Sequence, residues 1–277
     1  MMLEIPESNT LAKQANTFLK GKTIQNVVAG ASVHRFAFYF GAPTMYPKLL
    51  NGKALTGARA VGGQAELFAE DARILFGDGA NVRYLAPGET PPKKHQLLLE
   101  FTDDSSVVCT VSMYAGLWAY PDGENDNPYY LVALEKPNPL TDAFDKVWFE
   151  KLLAEAKPSL STKAFLATEQ RIPGLGNGVL QDILFQAGVH PKSKLSDLGS
   201  GDLDRLYLSV KETLAEMARL GGRDTEKDLF GNPGGYHSIL SKLTLAYPCP
   251  VCGGAITRQA YLGGNVYFCS SCQPLKN

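Results

Sequence analysis

The apolar positions change period once along the chain. Over residues 4–20, Leu11, Ala15, Phe18 and Leu19 recur three or four apart, which lines them up on one face of a helix. Pro6 stands near the start, where a helix tolerates a missing N–H, and Lys20-Gly21-Lys22 closes the segment. From residue 23 to about 132, short alternating or apolar runs follow one another: TIQNVVAG, HRFAFYF, AELFAED, RILFGDG, HQLLLEF, SVVCTVSMY and LWAYP. Turn chemistry separates them at Asp78-Gly79, APGETPP, TDDSS and PDGENDNP. So many short strands at this pitch predict a β-sandwich or barrel.

The proline-bearing stretch EKPNPLTD, residues 135–142, marks the change of period. Helical spacing follows in AFDKVWFEKLLAEA, STKAFLATEQ, IPGLGNGVLQDILFQAGVHP and SGDLDRLYLSVKETLAEMARL, then a loop rich in Gly, Asp and Asn at 221–236. The expected fold class is α+β, in three parts. An N-terminal helix with a β-sandwich occupies 1–134, a helical domain 135–240, and a cysteine-bearing hairpin 241–277. There is no internal repeat and no low-complexity tract.

Composition narrows the function classes. Hydrophobic residues make up 44% of the 277 and charged residues 20%, ordinary for a soluble globular protein. Net charge is −1: residues 1–130 hold 11 Lys and Arg against 13 Asp and Glu, and residues 131–277 hold 16 against 15. Neither half is a basic clamp, so a nucleic acid would be gripped by a local patch with a shallow salt dependence. No apolar run approaches the ~20 residues of a membrane span. The opening MMLEIPESNTLAKQ has acids where a secretory signal needs its apolar core. A cytoplasmic monomer with no membrane partner is expected.

Four of the five cysteines fall in the last 29 residues. Cys249-x2-Cys252 and Cys269-x2-Cys272 stand sixteen residues apart, so that two tight knuckles on facing hairpin strands complete one tetrahedral thiolate site. All four positions are filled by protein, which predicts one structural Zn2+. Redox dithiols or two disulfides are the competing reading of the same spacing. Cys109, in the apolar run SVVCTV, reads as an inert buried thiol.

IPGLGNGVLQDILFQAGVHP carries glycines at 174, 176 and 178 around Asn177. A dinucleotide-binding turn would need a strand before it, and the preceding segment is helical in period. A phosphate loop would need Gly-Lys-Ser/Thr. No nucleotide cofactor is therefore expected. A helix–turn–helix stays open, with Asn177 capping the second helix and its free N–H groups favouring a phosphate, and so does an ordinary helix hairpin.

The order of these stations resembles the formamidopyrimidine-DNA glycosylase/endonuclease VIII family along the whole chain. The EIPE start, LKGKTI at 19–24, LAPGETPPKKH at 85–95, the glycine turn, GYHS at 235–238 and CPVCGG…YFCSSCQ all look like that family's. The resemblance implies a helix-two-turn-helix domain and a DNA partner, damaged or abasic duplex, with the turn holding backbone phosphates. The DNA contacts it points to are Gly176, Asn177, Lys94 and Tyr236. Lys94, beside Lys93 and His95, reads equally as solvated loop. His237 could line a lesion pocket or be structural.

The resemblance also implies departures. Family members attack the sugar C1′ with an N-terminal proline amine, and a neighbouring glutamate handles protons. Glu4 and Glu7 fall on the family's two glutamates, and Leu3 falls where the nucleophilic proline belongs. Gln64 replaces a phosphate-contacting lysine, Gly264 a hairpin arginine and Asp78 an intercalating methionine, leaving Met113 and Tyr114 as the available wedges. Glu4 is the candidate catalytic residue, against a plain role as a first-turn acid on the helix dipole. Three functions compete: a reader of damaged, abasic or bent DNA without proline chemistry; a glycosylase or abasic-site lyase using another nucleophile such as the Met1 amine; and a protein-binding scaffold. A nucleoid-associated location goes with the first two.

Overall fold

The computed structural model describes residues 2–276. Helix α1 (Ile5–Phe18) opens the chain. It is followed by β1 (Ile24–Ala29), β2 (Ala37–Phe38), a short helix α2 (Tyr46–Leu50), and then β3 (Leu55–Val61), β4 (Gln64–Ala69), β5 (Ala72–Phe76) and β6 (Ala80–Leu85). β7 (Leu97–Phe101), β8 (Ser106–Val111) and β9 (Ala115–Pro121) complete two sheets, in the orders β1-β7-β8-β6 and β2-β9-β5-β4-β3. Every pairing is antiparallel except the two-residue contact of β2 with β9.

The inward positions of both sheets and the apolar stripe of α1 share one core, with Leu11, Ala15 and Leu19 against Leu55, Leu67, Ile74 and Phe101. The sandwich predicted from the strand runs is present. HRFAFYF, however, supplies only two strand residues. Phe36 and Phe38 are about half exposed, and the strand gives way to the short helix α2, whose Tyr46 hydroxyl donates to Leu117 O at 2.9 Å. Helix α3 (Pro128–Glu135) follows the PDGENDNP turn, in a stretch where the pattern of short runs predicts no helix. Asn127 caps it by accepting from Tyr129 N at 2.9 Å, and Pro128 occupies the first helical position.

The helical part holds α4 (Lys146–Glu155), α5 (Thr162–Ala167), α6 (Asn177–Ala187) and α7 (Ser200–Arg219) around a second core of Phe144, Phe149, Phe165, Ile183, Val210 and Leu214. α6 ends at Gly188, whose φ of 67° suits glycine, so His190 lies past the helix end, buried with its ring on Phe268. The hairpin β10 (Ile256–Tyr261) and β11 (Gly264–Cys269) follows, and β11 packs on α6. Among the described residues, no helix is long and apolar enough to cross a membrane.

The two cores meet at the N-terminus of α1. Leu3 is buried in the first and Ile5 in the second, with Glu4 between them.

Candidate functional site

The glycine turn does hold an anion, and the anion is the protein's own. Glu4 Oε1 accepts from Gly178 N at 2.8 Å and Oε2 from Val179 N at 2.7 Å, which satisfies two of the free N–H groups at the start of α6. The glycines make this approach possible. A Cβ on Gly176 would stand 2.5 Å from Glu4 Oε1, and one on Gly174 would stand 2.1 Å from Gly63 N in the β3–β4 turn. Backbone bonds from Ile5 N to Gly174 O at 3.0 Å and from Ser8 Oγ to Gly62 O at 2.6 Å close the junction.

A third partner completes it. Arg223 is 3% exposed and donates to both Glu7 oxygens, Nε to Oε1 at 2.9 Å and Nη2 to Oε2 at 3.0 Å, while Nη1 lies 3.5 Å from Glu4 Oε2. A Cβ on Gly178 would overlap that guanidinium. Burial pushes the Glu4 carboxyl up, against Arg223 and the two N–H groups that hold it down. Burial also works against the Arg223 charge, but Glu4 and Glu7 outweigh it and raise its pKa, so the guanidinium stays charged. The space left beside Glu7 and Arg223 is about 10 Å3, room for no more than a water. Arg223 was missed in the sequence, where its one signal is a cation set among the glycines and acids of GGRDTEKD.

Leu3 is fixed in the same region. Its amide donates to Asp78 O at 2.7 Å, and its side chain is 2% exposed in the first core. Met2 N donates to Glu226 Oε2 at 2.7 Å. The Met1 amine considered as a nucleophile lies outside the described residues.

The other expected site residues separate. Asn177 is not the cap of α6: Gly176 holds the capping position and Asn177 is the first helical residue. Its Nδ2 instead donates to Asn265 O at 2.9 Å, joined there by Gln181 Nε2 at 3.1 Å, and this ties α6 to β11. Gly264 packs on the same Asn177 side chain. Tyr236 is 8% exposed in the second core beside the Asp182 carboxylate, so the DNA contact expected of it has no exposed ring to make it. His237 points to solvent, with Asp224 3.4 Å away. Lys94 is exposed in the β6–β7 loop, remote in sequence from the junction. Met113 and Tyr114 stand exposed at the β8–β9 turn. Gln64 opens β4, and its buried Oε1 has no hydrogen-bond partner.

The four tail thiols converge. Their sulfurs all lie within 4.8 Å of one another, with Cys249 and Cys272 at 3.7 Å and Cys252 and Cys269 at 3.4 Å. Thiolates around one tetrahedral ion at ~2.3 Å stand about 3.8 Å apart, so the cluster fits a bound metal. Gln181 Oε1 accepts from Tyr267 N at 2.9 Å and Gln273 donates to Val189 O at 2.9 Å, which seats the knuckles against α6 and the residues after it. Cys109 is fully buried, and desolvation drives its thiol far up, as expected of an inert side chain.

A β-sandwich joined through such a glycine turn to a helical unit and a four-cysteine hairpin is the fold of the formamidopyrimidine-DNA glycosylases. The chain superposes on the MutM (Fpg) protein of Thermus thermophilus with a TM-score of 0.80 at 23% identity, covering 99% of this chain and 100% of that one. It superposes on Lactococcus lactis Fpg in complex with abasic-site DNA with a TM-score of 0.81 at 23% identity, covering 98% and 99%. No protein-family model matches the chain. In sequence it is 29% identical to the formamidopyrimidine-DNA glycosylase of Alkalilimnicola ehrlichii over 98% of this chain and 100% of that protein. Identity to the Bacillus subtilis enzyme of the same name is 26%, over 99% and 100%. The chain has the formamidopyrimidine-DNA glycosylase fold, and its sequence is similar to proteins of that name along nearly its whole length.

Proposed function

We propose that this protein binds damaged, abasic or bent DNA duplex and does not carry out the proline-type glycosylase and lyase step of its relatives. The observation that carries this reading is Leu3. At the place of the family's secondary amine stands a peptide N–H bonded to Asp78 O, with no lone pair to give and its side chain buried. Both family glutamates are spent on Arg223 and on the α6 amides, which leaves Glu4 a structural part. The DNA reading draws on the Lactococcus lactis complexes with abasic and lesion-bearing DNA. Gly176 and Asn177 at the turn, with Lys94 on its exposed loop, are the contacts it assigns. Asn177 has a second amide hydrogen beyond the one given to Asn265 O, a donor suited to a phosphate. One zinc, held by Cys249, Cys252, Cys269 and Cys272, keeps the hairpin folded.

Borohydride trapping on abasic and oxidised-base duplexes, with binding measured in parallel, tests this. The expected result is a retained complex and no covalent adduct. An adduct abolished by acetylating the N-terminus would instead establish the Met1 amine as nucleophile. Absence of binding to every duplex would favour the protein-scaffold reading.

A further inference from the structure

Beyond α7 the chain makes an excursion that belongs to the helical unit at its root and to the sandwich at its tip. It leaves through Gly221 and Gly222, both at positive φ, and comes back at Tyr236 in the second core. The root is closed by Asp224 N donating to Tyr236 O at 2.8 Å and Gly234 N donating to Arg223 O at 3.2 Å. Asp228 shapes the tip, where its Oδ1 accepts from Phe230 N at 2.9 Å and from Asn232 N at 2.8 Å.

The tip is plugged into the sandwich. Leu229 is fully buried in the first core. Its N donates to Gln14 Oε1 at 2.9 Å, and Gln14 Nε2 donates to Asp228 Oδ2 at 3.0 Å. Tyr84 N donates to Leu229 O at 2.7 Å, which occupies an amide of β6, the outer strand of its sheet. Phe230 packs edge-on against Phe18 of α1, with ring centroids 4.8 Å apart. These contacts are separate from those of Glu4 with α6, so the two bodies are tied a second time.

Between root and tip the chain is open to water, with Thr225, Lys227, Asn232 and Pro233 exposed. A buried leucine, the Phe230 ring and the Gln14 and Tyr84 bonds hold the tip, a fraction of what holds either core. A segment held so lightly opens on its own, without unfolding the parts it joins.

We propose that residues 224–234 form a releasable latch between the helical unit and the sandwich, and that DNA binds the latched form. The second half rests on the DNA reading above. Gly176 and Asn177 stand on one body and Lys94 on the other, so one duplex meets both only in a fixed pose. With the latch open that pose loses one of its ties, and affinity falls with the fraction of molecules still latched.

Trypsin reads the latch directly, because Lys227 lies between root and tip and a protease needs an opened strand around its cleavage site. The full chain should be cut slowly after Lys227. Leu229→Asp puts a carboxylate where no water reaches and should be cut about tenfold faster or more. Gln14→Ala leaves the cut sequence untouched and should fall between the two. Thermal melts check that the variants fold, and should Leu229→Asp fail to fold, Gln14→Ala carries the comparison alone. Anisotropy with an abasic duplex should then show Leu229→Asp binding about tenfold more weakly than the parent. Equal cutting of the parent and the variants would overturn the latch. Faster cutting with unchanged duplex affinity would overturn its link to DNA. A parent that binds no duplex, with cutting still faster in the variants, would overturn the DNA reading and keep the latch.

Discussion

Two clusters of side chains that are costly to bury or crowd anchor this protein, and they are solved in opposite ways. The four tail thiols come from one short stretch and face one another within 4.8 Å. The junction brings Glu7 and Arg223 together across 216 residues of sequence and engages both carboxylates internally, with the backbone amides of Glu4, Gly178, Val179 and Arg223 and one guanidinium. The tail's thiols are spaced to fit a metal ion. The junction already holds both of its acids in internal hydrogen bonds, as the proposed reading without proline chemistry requires.

Removing the ion breaks the comparison hardest. Structural zinc contributes ~10–16 kcal/mol to folding of small metal domains, so Cys269→Ser or exhaustive chelation should unfold the hairpin. Metal analysis should fall from one ion per chain to none, while circular dichroism keeps the β-sandwich signal. Intact hairpin signals without metal would sink the structural-ion reading.

The junction should answer differently. Arg223→Met leaves Glu4 and Glu7 buried without a cation, a loss of about 3–5 kcal/mol in urea unfolding. Adding Glu7→Gln should restore part of that stability, because it removes one of the two stranded charges. If the single variant is as stable as the parent, the ion cluster is not what joins the cores.

A smaller effect sharpens the contrast with a buried acid whose hydrogen-bond donors are neutral. Asp182 is 1% exposed and accepts from Ile239 N and Leu240 N, both at 2.8 Å; desolvation nonetheless pushes its carboxyl up to about 6. Asp182→Asn removes one of the two acceptors and should cost about 1–3 kcal/mol at pH 7. The folded state holds the Asp182 proton more tightly than the unfolded chain, so acidification from pH 7 to 5 favours folding through this group. The gap between parent and variant in urea midpoint should therefore widen at pH 5. A gap that narrows would mean the carboxyl is not raised.

What could be read from the sequence follows the same divide. The helices α1, α4, α6 and α7, most strands and the cysteine cluster rest on spacing within one segment, and they stand where the pattern put them. α3 escaped because its apolar residues face solvent as often as core, so no periodicity announces it; Leu131 and Leu134 are 41% and 44% exposed. The glycine turn was legible as an anion holder, but not which anion it holds. Glu4 reaches Gly178 across 174 residues, and no local pattern encodes that. Asn177 has the side chain of a capping residue but sits one position too far along, and its amide is drawn instead to a hairpin almost ninety residues downstream.

The placement of Leu3 and Ile5 in separate cores has a mechanical consequence. Two consecutive peptide units carry side chains sunk into different bodies, and the residue between them is clamped to a third element. Such a segment works as a pin. Parting the sandwich from the helical unit here would break the Glu4 bonds to α6, the Ile5–Gly174 bond and the Ser8–Gly62 bond together.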